Sequence, residues 1–503
     1  MIPPDYETLA QRYDAGQAQV LWRELPADLE TPVSAYLKLA AKERYGFLLE
    51  SVEGGDQLGR YSFIGYQPDL VWSHANGQTQ EVFRGQSTSR SDATPLDSLR
   101  DLLSRSRIAD IPTALSPMAA GLVGYLAYDA VRWVERIPDA NPDPLDLPQA
   151  VFIRPSMMAI FDRVTDTITL VTPVWPEREQ SASEALQAAE VRLGVAQDRL
   201  AQTIPASLQD RAAAPPATPS LESNLGSEAF QSKVREAKNY IAAGDIFQVV
   251  LSQRFVRPFT LPPFALYRSL RRINPSPFLY YLNLDGVAVV GSSPEILVRA
   301  RDGRVTIRPI AGTRPRGADA SEDQALSEAL LADPKERAEH LMLLDLGRND
   351  VGRVSQIGSV EVTAQFNIEH YSHVMHLVSN VEGNLEPSAD ILDALMAGFP
   401  AGTVSGAPKI RAMEIIDALE SERRGIYAGG IGYFSADGQM DSCIALRTGI
   451  VKDGQLYIQA GAGIVADSDP QTEHQECLDK ARALLRAAED AEALAQSRDK
   501  NLA

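Results

Sequence analysis

The sequence predicts an α+β fold: large antiparallel β-sheets forming a sandwich-like core, with helices packed on the outside. Three observations carry this expectation. Asp-Gly pairs at 285–286, 302–303, 437–438 and 453–454 each separate apolar, β-rich runs such as Val305-Thr306-Ile307 and Leu456-Tyr457-Ile458. Asp and Gly tolerate the positive φ that a two-residue hairpin turn demands. Helix-patterned segments at about 322–348, 388–397, 408–420 and 471–497 lie between these hairpins. Hairpins interspersed with helices place helices against antiparallel sheets. The third observation is composition: 503 residues, 44% hydrophobic and 23% charged, are ordinary for a globular chain.

Taken in order, the first half reads as strands at 151–161 and 167–174, then a helix at about 180–202. Residues 203–222 follow, including Ala212-Ala213-Ala214-Pro215-Pro216-Ala217-Thr218-Pro219, a Pro- and Ala-rich connector. The chain is divided there into 1–202, a linker 203–222, and 223–503. A further helix begins after Ser227 and stops at Gly244. Pro408 reads as the first helical residue of 408–420. No internal repeat of fixed period is present.

Charge and cysteine content narrow the function. Lys plus Arg is 48 against 67 for Asp plus Glu, a formal net charge of −19. That field repels phosphate and argues against nucleic-acid or anionic-membrane partners. A small anionic substrate would need a local cluster of Arg, Lys or metal. Cys443 and Cys477 make no disulfide framework, and no Cys-x-x-Cys zinc pattern exists. The N-terminus lacks a basic, apolar leader, and no apolar run spans a bilayer. A cytoplasmic location is expected.

Several groups could carry chemistry. Glu336 and Glu339 share a helix face, and Glu473 and Glu476 lie on the last helix with Lys480 one turn beyond Glu476. Spacing alone reads both as solvated acidic faces. Glu295, in Ser292-Ser293-Pro294-Glu295, reads as a loop glutamate at a strand end. His370, His373 and His376 have a spacing that suggests a metal cluster, yet a single structural histidine is the commoner case. Gly402-Thr403-Val404-Ser405-Gly406-Ala407-Pro408-Lys409 fails the phosphate-loop pattern, because Gly-Lys-[Ser/Thr] is missing. Arg447 follows an apolar strand and offers a planar fork to a carboxylate. Gly461-Ala462-Gly463 could present backbone N–H groups to another.

These motifs, together with Arg308-Pro309-Ile310-Ala311-Gly312-Thr313-Arg314-Pro315-Arg316-Gly317, resemble the chorismate-utilising enzymes, most strongly over 224–490. That family includes anthranilate, aminodeoxychorismate, and isochorismate or salicylate synthases. The resemblance implies Mg²⁺ held by Glu339 and Glu476 with Glu336 close by. It implies Glu295 as the acid that protonates the departing C4 hydroxyl, a poor leaving group without one. His376 would assist proton movement in a second step. Gly312, Thr313, Thr403, Tyr427, Arg447, Gly461, Ala462, Gly463 and Lys480 would contact substrate.

Two positions discriminate within the family. Aminodeoxychorismate synthases typically carry a nucleophilic lysine where this chain has Ala311. Isochorismate and salicylate synthases carry a water-activating lysine where it has Gln248, and a glutamine amide is no base at neutral pH. The resemblance therefore narrows to anthranilate synthase large subunits, which use ammonia. Leu48-Leu49-Glu50-Ser51 and Asn274-Pro275-Ser276-Pro277 then resemble the two walls of a tryptophan feedback site, with Cys443 beside them. From the residues alone, they would be a buried strand and a Pro-rich turn.

Neither cysteine resembles an amidotransferase nucleophile, so a separate glutamine amidotransferase subunit (component II) is expected, giving a hetero-oligomer. The expected reaction adds ammonia at C2 of chorismate, expels the C4 hydroxyl, and then eliminates pyruvate. Two alternatives stand beside it. One is an aminodeoxychorismate synthase component I. The other is a catalytically silent amino-acid sensor of the same fold.

Overall fold

The computed structural model describes residues 5–51, 59–90, 93–112, 115, 118–205, 221–370 and 374–502, the last six by backbone alone. Residues 206–220 of the expected linker lie outside these, as does His373.

Two antiparallel sheets share one pair of long strands, Tyr61–Ala75 and Ala150–Asp162. The shared pair bends where Pro68 faces Pro155, and its register shifts between Pro68 and Leu70. Neither proline can donate to the ladder, so pairing is weakest there and the strands can turn. Before the bend, Tyr61–Ala75 pairs with Tyr45–Glu50, and beyond it with Gln78–Phe83. Ala150–Asp162 likewise pairs with Gly121–Leu126 by one half and Thr167–Val174 by the other.

One sheet runs from Gln19–Pro26 through Thr167–Val174, the shared pair and Tyr45–Glu50 into Phe278–Leu284, Val287–Ser293, Thr448–Lys452, Gln455–Ile464 and Gln248–Pro258. The other runs from the shared pair through Gly121–Leu126, Gly430–Ser435, Met440–Ile444, Ile296–Arg301 and Arg304–Ile307 to Val374–Asn384 and Glu361–His370. Ile310–Pro315 continues along the same edge of Val374–Asn384. Strands from before and after the linker thus pair in both sheets.

The side chains alternate accordingly. Trp22, Phe47, Phe63, Val123, Ile153, Tyr280, Val289 and Ile431, drawn from both sheets, form one buried cluster. Their opposite-facing neighbours, including Leu21, Leu48, Ile64 and Phe152, join a larger cluster with the helices. The expected sandwich with outer helices is what forms. All four Asp-Gly pairs turn hairpins; Asp285, Gly286, Asp302, Gly303, Asp453 and Gly454 have φ between 49° and 95°.

The expected helix at 322–348 is instead two, Ala320–Ala332 and Pro334–Gly352. Asp333 ends the first and caps the second, accepting from the Lys335 and Glu336 N–H groups. Pro334 has no N–H to continue the first helix but fits a first turn. Pro408 is the N-cap of Lys409–Leu419 rather than its first residue. The last helix runs Pro470–Leu502. Among the described residues no helix is long and apolar enough to cross a membrane.

Candidate active site

The candidate residues gather where the Gln248 end of one sheet meets the Ile310–Pro315 edge of the other. Helix Pro334–Gly352 packs on that edge and on Val374–Asn384, and the last helix packs on Gln455–Ile464. Each sheet therefore brings one acidic helix.

Glu295 follows strand Val287–Ser293 and is only 7% exposed. Burial pushes its carboxyl up to about 8, opposed only weakly by the Thr403 hydroxyl and the Ile310 N–H. Thr403 is close enough to favour the charged form but makes no well-formed hydrogen bond of its own. Glu295 is thus a protonated acid at neutral pH.

His376 lies opposite Thr313 across the ladder. Its Nδ1 is 3.1 Å from both the Gly312 carbonyl oxygen and Thr313 Oγ1. A carbonyl can only accept, so Nδ1 carries the ring proton and Nε2 keeps its lone pair. Burial lowers the His376 pKa; the Gly312 carbonyl opposes this, and the Arg447 charge adds to it. The ring is a neutral base beside a cationic residue. Arg447 itself has a left-handed backbone, φ +48°.

Ala311 is buried on the same strand and contributes a methyl. Gln248, 4% exposed, reaches Glu339 with its amide nitrogen at 3.5 Å. The Gln248 amide oxygen is buried without a hydrogen-bond partner. A group that should not stay orphaned in a dry site points to a polar ligand. Neither position supplies an amine.

Glu339 is held above the usual carboxylate range, first by burial, then by the Glu336 charge and, more weakly, that of Glu476. The Glu336 and Glu476 charges are thus both felt at Glu339. Glu336 is compensated by Arg314 at 3.0 Å, and Glu476 by Lys480 at 2.7 Å. Among the described residues no three His, Cys, Asp or Glu side chains stand close enough to hold a metal unaided. Mg²⁺ needs only one or two carboxylates, its other oxygens coming from water and substrate, so the set fits that ion. Glu339 and Glu476 would hold it.

The remaining wall is strand Gln455–Ile464. Ala462 is wholly buried in the core, and the alternation of the strand turns Gly461 and Gly463 to its other face. A Cβ at Gly463 would stand 2.5 Å from the Gln248 amide nitrogen, and one at Gly461 2.7 Å from the Tyr427 hydroxyl. Glycine here clears the floor of the site. Lys480 donates to the Gly461 carbonyl at 2.9 Å, so it also braces this wall.

A separate cavity of about 420 Å³ lies between the two sheets, lined by Ser51, Glu50, Pro277 and Cys443. The Ser51 hydroxyl is buried without a partner. Glu50 lines it without offering its charge, since its carboxylate already accepts from Tyr267, Arg271 and Arg163. Asn274 and Ser276 sit behind the wall, bonded to Ser292 and to the Ser293 carbonyl. Pro275 is half-exposed and does not line the cavity.

Sequence reasoning missed Arg314, which neutralises Glu336, and Arg299, Arg301 and Asp441, which form a charged rim in the cavity. Arg299 and Arg301, two apart on a strand, share a face, a signal available in the sequence.

The family model described as chorismate binding enzyme matches residues 48–486. Anthranilate synthase component 1 of Cereibacter sphaeroides is 54% identical over 500 residues, 97% of each chain. That of Thermus thermophilus is 50% identical over 469 residues, 93% of this chain and 97% of the other. The crystal structure of anthranilate synthase component I from Streptococcus pneumoniae superposes with a TM-score of 0.76 at 38% identity, covering 92% of this chain and 98% of that one. A menaquinone-specific isochorismate synthase from Escherichia coli, 22% identical with a TM-score of 0.67, shares the fold. With matches of this length and identity, the chain belongs to the chorismate binding enzymes, among the anthranilate synthase component 1 proteins.

Proposed function

We propose that the chain catalyses formation of anthranilate and pyruvate from chorismate and ammonia, with Mg²⁺ at Glu339 and Glu476. The pairing of a protonated, buried Glu295 with a neutral, oriented His376 carries this reading. Ammonia attacks C2 as the two ring double bonds shift and the C4 hydroxyl leaves as water, taking its proton from Glu295, whose carboxylate then takes one from the new ammonium. His376 Nε2 then accepts the C2 proton as the enolpyruvyl C3–O bond breaks. The released enol becomes pyruvate and the ring becomes aromatic. When bound, Mg²⁺ would neutralise the ring carboxylate. Arg447 and the Gly461–Gly463 backbone would hold the second carboxylate.

Ala311 and Gln248 support ammonia as nucleophile, because neither residue brings an amine to C2. Glutamine would be its source, through an amidotransferase component that this chain pairs with in the cytoplasm. The cavity at Ser51 suits tryptophan as a feedback inhibitor: it has aromatic walls, an orphaned hydroxyl, and the Asp441 carboxylate for an ammonium group.

The test is an assay of the purified chain with chorismate, ammonium and Mg²⁺. Anthranilate fluorescence and pyruvate should rise together, and excess chelator should abolish both. An aminated product without pyruvate would instead mark an aminodeoxychorismate synthase.

A further inference from the structure

We propose that Arg424 is a positioning residue for this reaction, holding the Gln248 strand, the Thr403 turn and the Tyr427 wall in register; the proposal rests on the functional reading above. Arg424 follows helix Lys409–Leu419 and has a side chain 1% exposed. Its Nη1 donates to the Val404 carbonyl at 2.7 Å, and its Nη2 to the Val250 carbonyl at 2.6 Å. Its Nε and Nη2 also donate to the two oxygens of Glu420, at 2.9 and 2.7 Å. One planar group thus ties the residue after Thr403 to the strand that begins at Gln248.

The web continues from Glu420. Its Oε1 accepts from both the backbone N–H and the hydroxyl of Ser252, each at 2.8 Å, and Gln459 donates to the same hydroxyl at 2.8 Å. Ser252 lies opposite Gly461 and Val250 opposite Gly463. The residues clamped are therefore the partners of the two glycines that clear the floor of the site. The guanidinium also sits 5.6 Å from the centre of the Tyr427 ring and 4.7 Å from that of Tyr128.

A buried ion pair adds little stability that packed apolar side chains could not supply. What an apolar replacement cannot do is fix two carbonyls and a carboxylate in one plane. Lysine, a point charge on a flexible stem, cannot do so either. With its bonds spent on protein, Arg424 acts through the residues it aligns.

The experiment compares wild type, Arg424→Lys and Ser252→Ala at a temperature where circular dichroism shows each fully folded. Chorismate consumption gives kcat and KM per folded molecule, and product identity is read separately. Arg424→Lys should lower kcat roughly tenfold or more with little change in KM, because small misplacements act mainly on the transition state. Ser252→Ala, which removes only the hydroxyl arm, should show a smaller loss with the same split. A merely structural role would leave kcat per folded molecule unchanged, and that result, or a rise in KM alone, overturns the proposal. If Arg424→Lys does not fold, Ser252→Ala decides by the same criterion. A wild-type chain that consumes chorismate without making anthranilate overturns the functional reading but leaves this comparison valid. One that consumes no chorismate overturns both.

Discussion

Glu295 binds its proton more tightly in the folded chain than an exposed glutamate would, because burial raises its pKa to about 8. The folded state therefore holds more protons than the unfolded state between the ordinary carboxylate range and about pH 8. Stability from this group is fully present at low pH and declines as pH rises through that window. Glu295→Gln removes the titration. The variant should gain thermal stability relative to wild type at pH 9 and not at pH 4, measured by calorimetry, while its anthranilate turnover collapses at both. Equal shifts at the two pH values would show that Glu295 is not buried as a neutral acid. Ser51→Phe tests the other pocket: tryptophan inhibition should weaken sharply with turnover kept, since the change removes the orphaned hydroxyl and puts a ring into the 420 Å³ cavity. An unchanged inhibition curve would remove Ser51 from that site. Motifs singled out Glu295, His376 and Ser51 in the sequence, and the structure buries the first two and leaves the Ser51 hydroxyl without a partner. The Arg314–Glu336 pair and the spent charge of Glu50 were not legible there, because each depends on partners distant in the chain or across a strand edge.

Two helices carry the carboxylates proposed for the metal, and each is anchored to a different sheet. Glu339→Gln and Glu476→Gln should each raise the Mg²⁺ concentration needed for half-maximal turnover, by roughly tenfold or more, as lost ligand charge weakens a hard-cation site. Titration of Mg²⁺ against activity checks this, and wild-type titration curves in both variants would dismiss the site. Glu339→Gln should also leave the folded chain intact, because burial, and after it the Glu336 and Glu476 charges, already disfavour the ionised form of Glu339 without a cation. At this scale the hairpins were readable from Asp-Gly chemistry, and helix ends mostly so. The break at Asp333-Pro334 was the exception: the acidic, helix-favouring residues on either side hid a proline that can begin a helix as readily as end one.

The sandwich itself was legible as a class, since alternating runs and Asp-Gly turns imply antiparallel sheets. The way the two sheets share Tyr61–Ala75 and Ala150–Asp162 was not, because both strands are long and continuous, and only the facing prolines mark the bend. Pairing across the molecule follows from that sharing: Tyr45–Glu50 with Phe278–Leu284, and Gly121–Leu126 with Gly430–Ser435. A protease site inserted between 206 and 220 should therefore yield two pieces that co-elute on gel filtration and melt in one transition. Separation of the pieces without denaturant would contradict the pairing.

Those two seams also limit how such proteins can be recombined. A first half taken from a relative brings its own edges at Tyr45–Glu50 and Gly121–Leu126, and each must match its new neighbour residue for residue. A one-residue slip at the Gly121–Leu126 seam would turn Ile431 and Tyr433 away from the core between the sheets. Chimeras joined at the linker should thus succeed only between parents that agree along both seams, however different their loops. The cavity between the sheets and the cluster at the Gln248 end would then have to be exchanged together, since the second half carries the whole cluster and one wall of the cavity, whose other wall lies across the Tyr45–Glu50 seam.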